Sequence, residues 1–349
     1  MSYTTRVLHV DKDTFQEFEK LSIIQDLLLK GIERPLQNNP KYLLILKDTE
    51  FIIVDKQGNL VLRKSVSYTI DWGVINNNGI VAIKEGSTLH VYDINGDEIY
   101  STTFSAIIMP KMYIGLRYLW LAIKSSPDTF YIYDLNDFSY TSFQKDVFGE
   151  QGYAIVPNED ADIVIFAYRD ASNVTHFARA TPSGIEADVQ PGVNYKVFKA
   201  WGRPDGLAGL FDISEDAGGT AYRRIYLVNR DLDYTLILSK TFGTYSASYY
   251  FVADVNLEKA LIFNNQETTL SKYTFDLNTM TYELVDTFNL TETPEDVGTL
   301  KHNGDMTPDG KYAIITTSGK ILIIDWETKE IVKTIPKAFT GAPIKILVA

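Results

Sequence analysis

The chain contains no cysteine, which excludes disulfide staples, thiolate zinc sites and cysteine nucleophiles. Histidine is scarce too. The four histidines, at positions 9, 90, 176 and 302, show neither His-x-x-x-His nor His-Glu-x-x-His spacing, so no helical zinc motif is present. Long apolar runs are missing: no segment approaches the roughly 18 residues that cross a bilayer as a helix. Residues 1–9 lack the charged region and apolar stretch of an export leader. A chain with no classical secretion signal and no membrane insertion is expected, placed in the cytoplasm or in a virion. Positive charge is in deficit, with 33 Lys and Arg against 45 Asp and Glu and a net charge of −12. Nucleic acid is therefore not an expected partner, because phosphate contacts need clustered cations. The basic doublet Arg223-Arg224 reads as two outward residues near a strand.

Catalytic signatures are equally thin. No Gly-x-Ser-x-Gly elbow, phosphate-binding glycine loop or dinucleotide fingerprint occurs, so no catalytic, cofactor-binding or metal residue is assigned and no cofactor is expected. Acid pairs such as Glu159-Asp160-Ala-Asp162 carry oxygen ligands suited to a hard cation, but solvated turns account for them as well. Residues 214–221, Ser-Glu-Asp-Ala-Gly-Gly-Thr-Ala, partly copy an Asp-box turn and read as a loop.

What the chain does have is repetition. Runs of alternating apolar residues recur from Tyr42 onward: Tyr42-Leu-Leu-Ile-Leu, Ile80-Val-Ala-Ile, Tyr118-Leu-Trp-Leu-Ala, Ile163-Val-Ile-Phe-Ala, Leu207 to Phe211, Lys259-Ala-Leu-Ile-Phe and Tyr312-Ala-Ile-Ile. Seven repeats of roughly 40–50 residues, built from strands alone, predict a radial all-β architecture, a seven-bladed β-propeller. The first repeat supplies three strands where a blade needs four. Ile344-Lys-Ile-Leu-Val348 is expected to fill that place and close the ring, since an open edge invites aggregation.

Third strands end repeatedly in an apolar residue followed by Asp, at Val54-Asp55, Tyr92-Asp93, Tyr133-Asp134, Phe275-Asp276 and Ile324-Asp325, with Val228-Asn229 as a relaxed version. An Asp side chain accepts backbone N–H groups two residues on and so pre-forms a turn. Asp55, Asp93, Asp134, Asp276 and Asp325 are therefore expected to be structural turn residues. Together with Pro308-Asp-Gly-Lys311, the apolar-Asp ending resembles the WD-repeat and YVTN-type β-propeller superfamily over residues 40–349, with its best match at 307–335. None of the repeats shows the Gly-His of typical WD repeats. The resemblance implies a propeller, a fold that hosts enzymes, receptors and scaffolds alike, and a rigid ring with loops on two broad faces suits interaction work.

Ahead of the repeats stands an extension, residues 1–39, with one helix expected at about 13–30. Asp13 can cap it, Gln16 stands at the capping-box position, and Gly31 suits a left-handed end. Phe15, Phe18, Leu21, Ile24, Leu27 and Leu28 share one face at helical spacing, which must be covered by the propeller, by a partner or by a second copy. Phe15, Phe18 and Leu28 are interaction candidates, as is Trp326, which follows a turn Asp where an exposed anchor can stand. The leading expectation is a non-enzymatic scaffold for protein partners or self-assembly, or a structural subunit of a larger assembly such as a viral particle. The alternative is a lactonase-like propeller hydrolase with carboxylates, His302 or a metal at the central channel.

Overall fold

The computed structural model describes residues 7–9, 41–55, 59–147, 153–192, 196–203, 205–217, 220–242, 249–264, 267–294, 304–307, 310–317 and 320–336. Regular structure among them is all β-strand, arranged as seven four-stranded sheets. Sheet 1 consists of Val7–His9, Tyr42–Lys47, Glu50–Asp55 and Leu60–Ser65. Sheets 2 to 7 each take four successive strands, within residues 72–103, 108–144, 153–189, 196–242, 249–289 and 304–336. Every pairing is antiparallel except one: Val7–His9 runs parallel to Tyr42–Lys47, with Val7 opposite Leu44. That edge is where residues 344–348 were expected; they lie outside the described residues, as does the expected helix at 13–30.

Burial explains why these sequences form strands in this order. In sheet 2 the second strand, Val81–Glu85, is buried at four consecutive positions, whereas the fourth, Glu98–Thr103, alternates between exposed and half-buried. A strand covered on both faces must read as a continuous apolar run, and one reaching past its neighbours can alternate. Each hydrophobic core is correspondingly shared by two consecutive sheets. Leu44 and Phe51 of sheet 1 pack with Ile75 and Ile83 of sheet 2, Trp120 and Phe130 of sheet 3 with Tyr153 and Phe166 of sheet 4, and Leu261 and Phe263 of sheet 6 with Ile315 and Leu322 of sheet 7. First strands of neighbouring sheets also touch, those of sheets 2 and 3, 3 and 4, 4 and 5, 5 and 6, and 6 and 7. The sheets are thus arrayed side by side with first strands innermost.

Trp120 shows how one polar atom fixes this stacking. Its fully buried indole Nε1 donates to the Ala161 carbonyl at 2.7 Å, from sheet 3 to a turn of sheet 4. Trp120→Phe keeps an aromatic side chain but loses the donor and part of the buried ring, so a loss of at least about 1–3 kcal/mol in urea denaturation is expected.

The outermost strands share an irregularity. In six sheets the register between third and fourth strands shifts by one residue. The residue left unpaired is Val61, Ile99, Glu186, Ile237, Val285 or Val332, which bends the edge and makes it a poor template for another strand.

Candidate functional site: two faces and a rim

The turns between first and second strands, and between third and fourth, lie on one face. On the third-to-fourth turns the Asp side chains behave as local turn formers. Asp93 Oδ1 accepts the N–H groups of Asn95 and Asp97, both at 2.9 Å; Asp325 Oδ1 accepts those of Glu327 and Thr328. Asp55 accepts from Asn59, Asp134 from Asn136 and Asp276 from Asn278. The Asn278 N–H holds the Asp276 carboxyl below the usual carboxylate range.

The first-to-second turns repeat a second device that the sequence hid. In five of them, those of sheets 2, 4, 5, 6 and 7, a carbonyl accepts the N–H three residues on: Asn76 from Gly79, Asn158 from Ala161, Arg203 from Gly206, Asp254 from Leu257, Thr307 from Gly310. The last residue of each is left-handed, with φ of 78°, 57°, 66°, 55° and 67°. These turns lock onto one another. Asn76 Nδ2 donates to the Gly115 carbonyl at 2.9 Å, and the Leu116 and Tyr118 N–H groups donate to the Glu159 and Asp160 carbonyls. Glu159, Asp160 and Asp162 therefore sit in a structural turn, where Asp162 accepts from Asn158 Nδ2 at 2.6 Å.

The opposite face carries the turns between second and third strands and the links between sheets. Charged groups gather there in pairs: Lys84 with Asp71 at 3.7 Å, Lys240 with Glu267, and Lys320 with Glu292. Sheet 5 breaks the pattern. Its second and third strands, Ala208–Ala217 and Thr220–Asn229, are ten residues each, while second strands elsewhere have five or six. The ladder to the first strand stops at Ser214, and the hairpin continues to an Ala217–Thr220 pair. It projects beyond this face. Residues 214–217 and 220–221 are thus paired strand where a loop was expected, and Arg223 is a buried strand residue, not an outward one.

Two histidines occupy matching clamps on third strands. His90 lies between Glu98 at 2.9 Å and Glu85 at 3.3 Å, stacked on Tyr68. His176 lies between Asp188 at 2.8 Å and Asp170 at 3.2 Å, stacked on Tyr168. With both ring nitrogens engaged, neither imidazole is poised to take a proton from a substrate. His302 lies outside the described residues. Among the described residues no group of three or more His, Asp or Glu is arranged to hold a metal ion, and no helix is long and apolar enough to cross a membrane.

No protein-family model and no curated protein matches the chain. Solved structures do. A functionally unknown protein from Desulfotomaculum acetoxidans DSM 771 is 10% identical, with 87% of this chain and 98% of that chain covered and a TM-score of 0.56. Hydrazine synthase of Kuenenia stuttgartiensis is also 10% identical, covering 85% and 93% at a TM-score of 0.56. KlAtg21, solved in complex with the coiled coil of AgAtg16, is 12% identical, covering 83% and 97% at 0.51. The fold is a β-propeller.

Within the propeller, the sequence-read candidates fall apart as a site. Phe15, Phe18 and Leu28 lie outside the described residues. Trp326 is not the exposed anchor expected of it: it is 4% exposed, with Lys272 Nζ over its ring at 4.6 Å and Lys259 Nζ at 5.8 Å. Lys272 also donates to the Trp326 carbonyl at 2.6 Å, tying sheet 6 to sheet 7. Burial lowers the Lys272 amine below its usual range. What reasoning from sequence missed was the rim. Leu60, Val61, Ile99, Tyr282, Leu284, Val285, Ile331 and Val332 are all exposed on fourth strands, and a break in strict alternation, as in Leu60-Val-Leu, was the one signal available.

Proposed function

We propose that this chain is a seven-bladed propeller of the WD-repeat or YVTN type, closed between sheets 7 and 1, that works as a non-enzymatic scaffold for protein partners or as a structural subunit of an assembly, in the cytoplasm or a virion. The observation that carries this reading is the sheet 5 hairpin. A repeat architecture departs from its own period where something other than folding sets the sequence. Here one pair of strands runs on past a face otherwise made of short turns, with Tyr222 exposed on its flank. The fourth strand follows the third as far as Ala221, so the projection is braced on that side, and the edge of Glu215–Ala217, beyond the first-strand ladder, is what it offers a partner at little ordering cost. KlAtg21, similar in fold alone, is a propeller solved with a coiled-coil partner, which is compatible with such a role. The committed imidazoles of His90 and His176 weigh against the hydrolase alternative.

The test replaces residues 215–222 by Asn-Gly, a turn that closes a two-residue hairpin. The shortened propeller is expected to keep its thermal midpoint and to lose specific partners in cross-linking mass spectrometry. An unchanged partner set discards the hairpin as the docking element. Turnover of lactones or esters by the purified full-length chain discards the scaffold reading altogether.

A further inference from the structure

The rim of sheets 1 and 2 presents apolar surface at the place where the N-terminal extension joins the propeller. Leu60 is 61% exposed, Val61 39% and Ile99 40%. Val61 and Ile99 are the unpaired bulge residues of their sheets, so the ladder turns a β-branched side chain outward at matching positions. The two rims adjoin, because Gly96 in the turn before Ile99 lies against the Leu62 side chain. A bulged edge resists strand addition, which leaves packing of a side-chain surface as the use for this patch.

Both ends of residues 10–40 are held on sheet 1, at His9 and at Lys41. The Lys41 N–H donates to Asn77 Oδ1 at 2.9 Å. Tyr42 stands opposite Asp55, and Val54 opposite Leu60. Lys41 therefore emerges two strand spacings from Leu60, roughly 10 Å at the usual interstrand distance. The ten residues between Lys30 and Lys41 span that with ease. Charge agrees. Residues 13–30 hold four acids, Asp13, Glu17, Glu19 and Asp26, against Lys20 and Lys30, and the strand beyond Val61 continues into Lys64 and into Arg63, whose Nε also holds Glu50 at 3.1 Å.

We propose that residues 13–30 of the same chain dock on this rim, setting the apolar face that carries Phe15 and Phe18 over Leu60, Val61 and Ile99, with their acids toward Arg63 and Lys64. The inference stands apart from the partner reading, since it concerns a different surface. An exposed apolar cluster and an apolar stripe of sequence within reach of each other are both satisfied by one contact.

The experiment places a photo-reactive p-benzoyl-phenylalanine at Phe18 in the full-length chain, which keeps an aromatic there. Irradiation is expected to yield cross-linked monomer whose joined peptide contains Leu60–Lys64 or Ile99. The double variant Val61→Asp, Ile99→Asp is expected to lose that product while the unirradiated protein keeps its circular dichroism. Cross-links at dimer mass would hand the surface to a second copy and overturn the proposal. Links to sheets 3 to 5, or a folded monomer that yields no link, would overturn it equally.

Discussion

Gly206→Ala is expected to destabilise the propeller by about 3–4 kcal/mol, the largest loss among the glycine-to-alanine changes at the described residues. Two separate costs meet at that residue. Its φ of +66° is left-handed, and an added Cβ would lie 2.5 Å from the Asn158 nitrogen and 2.7 Å from its Cα, in the backbone of the neighbouring turn. The nearest atoms are all backbone, of Pro157 and Asn158, so nothing can swing away. The two costs can be separated on other glycines. Gly86 has a φ of +54° and nothing within 4 Å of an added Cβ, so Gly86→Ala isolates conformational strain, about 1 kcal/mol. Gly115 is not left-handed, yet its Cβ would meet the Asp160 carbonyl carbon at 2.4 Å, so Gly115→Ala isolates overpacking, about 1–3 kcal/mol. Urea denaturation of the three variants should rank Gly206 worst and Gly86 mildest. If Gly206→Ala costs no more than Gly86→Ala, the interlocked turns are not what holds neighbouring sheets together on this face.

The architecture was readable in the sequence because the second strands are buried on both faces. Val81–Glu85 and Val164–Arg169 must be nearly continuous apolar runs, and seven such runs at even spacing leave few alternatives. The turn aspartates were readable for a related reason: one residue type performs one job at a fixed offset, at Asp93 and Asp325 alike. The first-to-second turns were not readable. Asn76, Asn158, Asp254 and Thr307 all accept backbone N–H groups from their own turn, but four positions share no single letter pattern. Register shifts leave no mark either, since Leu60-Val61-Leu62 looks the same in sequence whether or not Val61 is paired. Burial of Trp326 depends on Lys259 and Lys272 from the preceding sheet, a contact that no local window contains. The sheet 5 hairpin was misread as a loop because Gly218-Gly219 dominates its composition, although the strands on either side pair up to that point.

Those same turns make the propeller's stability depend on pH through one buried acid. Asp254 is 4% exposed, and burial pushes its carboxyl up to about 6 from an ordinary 3.8, with the nearby Glu258 charge adding to the rise. Its oxygens accept N–H groups from Lys259 at 2.7 Å and Glu258 at 2.8 Å, which offsets only part of that cost. Between about pH 4 and 6 the folded state therefore keeps a proton that the unfolded chain has released, and stability falls as pH rises through this window. Above it the penalty is complete, about 3 kcal/mol for a shift of roughly two units. Asparagine already does this job elsewhere: Asn76 Oδ1 accepts the Asn78 and Ile80 N–H groups, each at 3.0 Å. Asp254→Asn is expected to keep the turn, to leave stability near pH 4 unchanged, and to gain about 2–3 kcal/mol at pH 8. Both proteins share the remaining carboxylates, so the difference between their urea curves across pH 4–8 reports on Asp254 together with its coupling to Glu258. A constant difference across that range would show that Asp254 does not titrate in the window. A widening one would place the buried proton on the turn where sheets 6 and 7 meet, since Gly310 of sheet 7 lies against the Asp254 side chain.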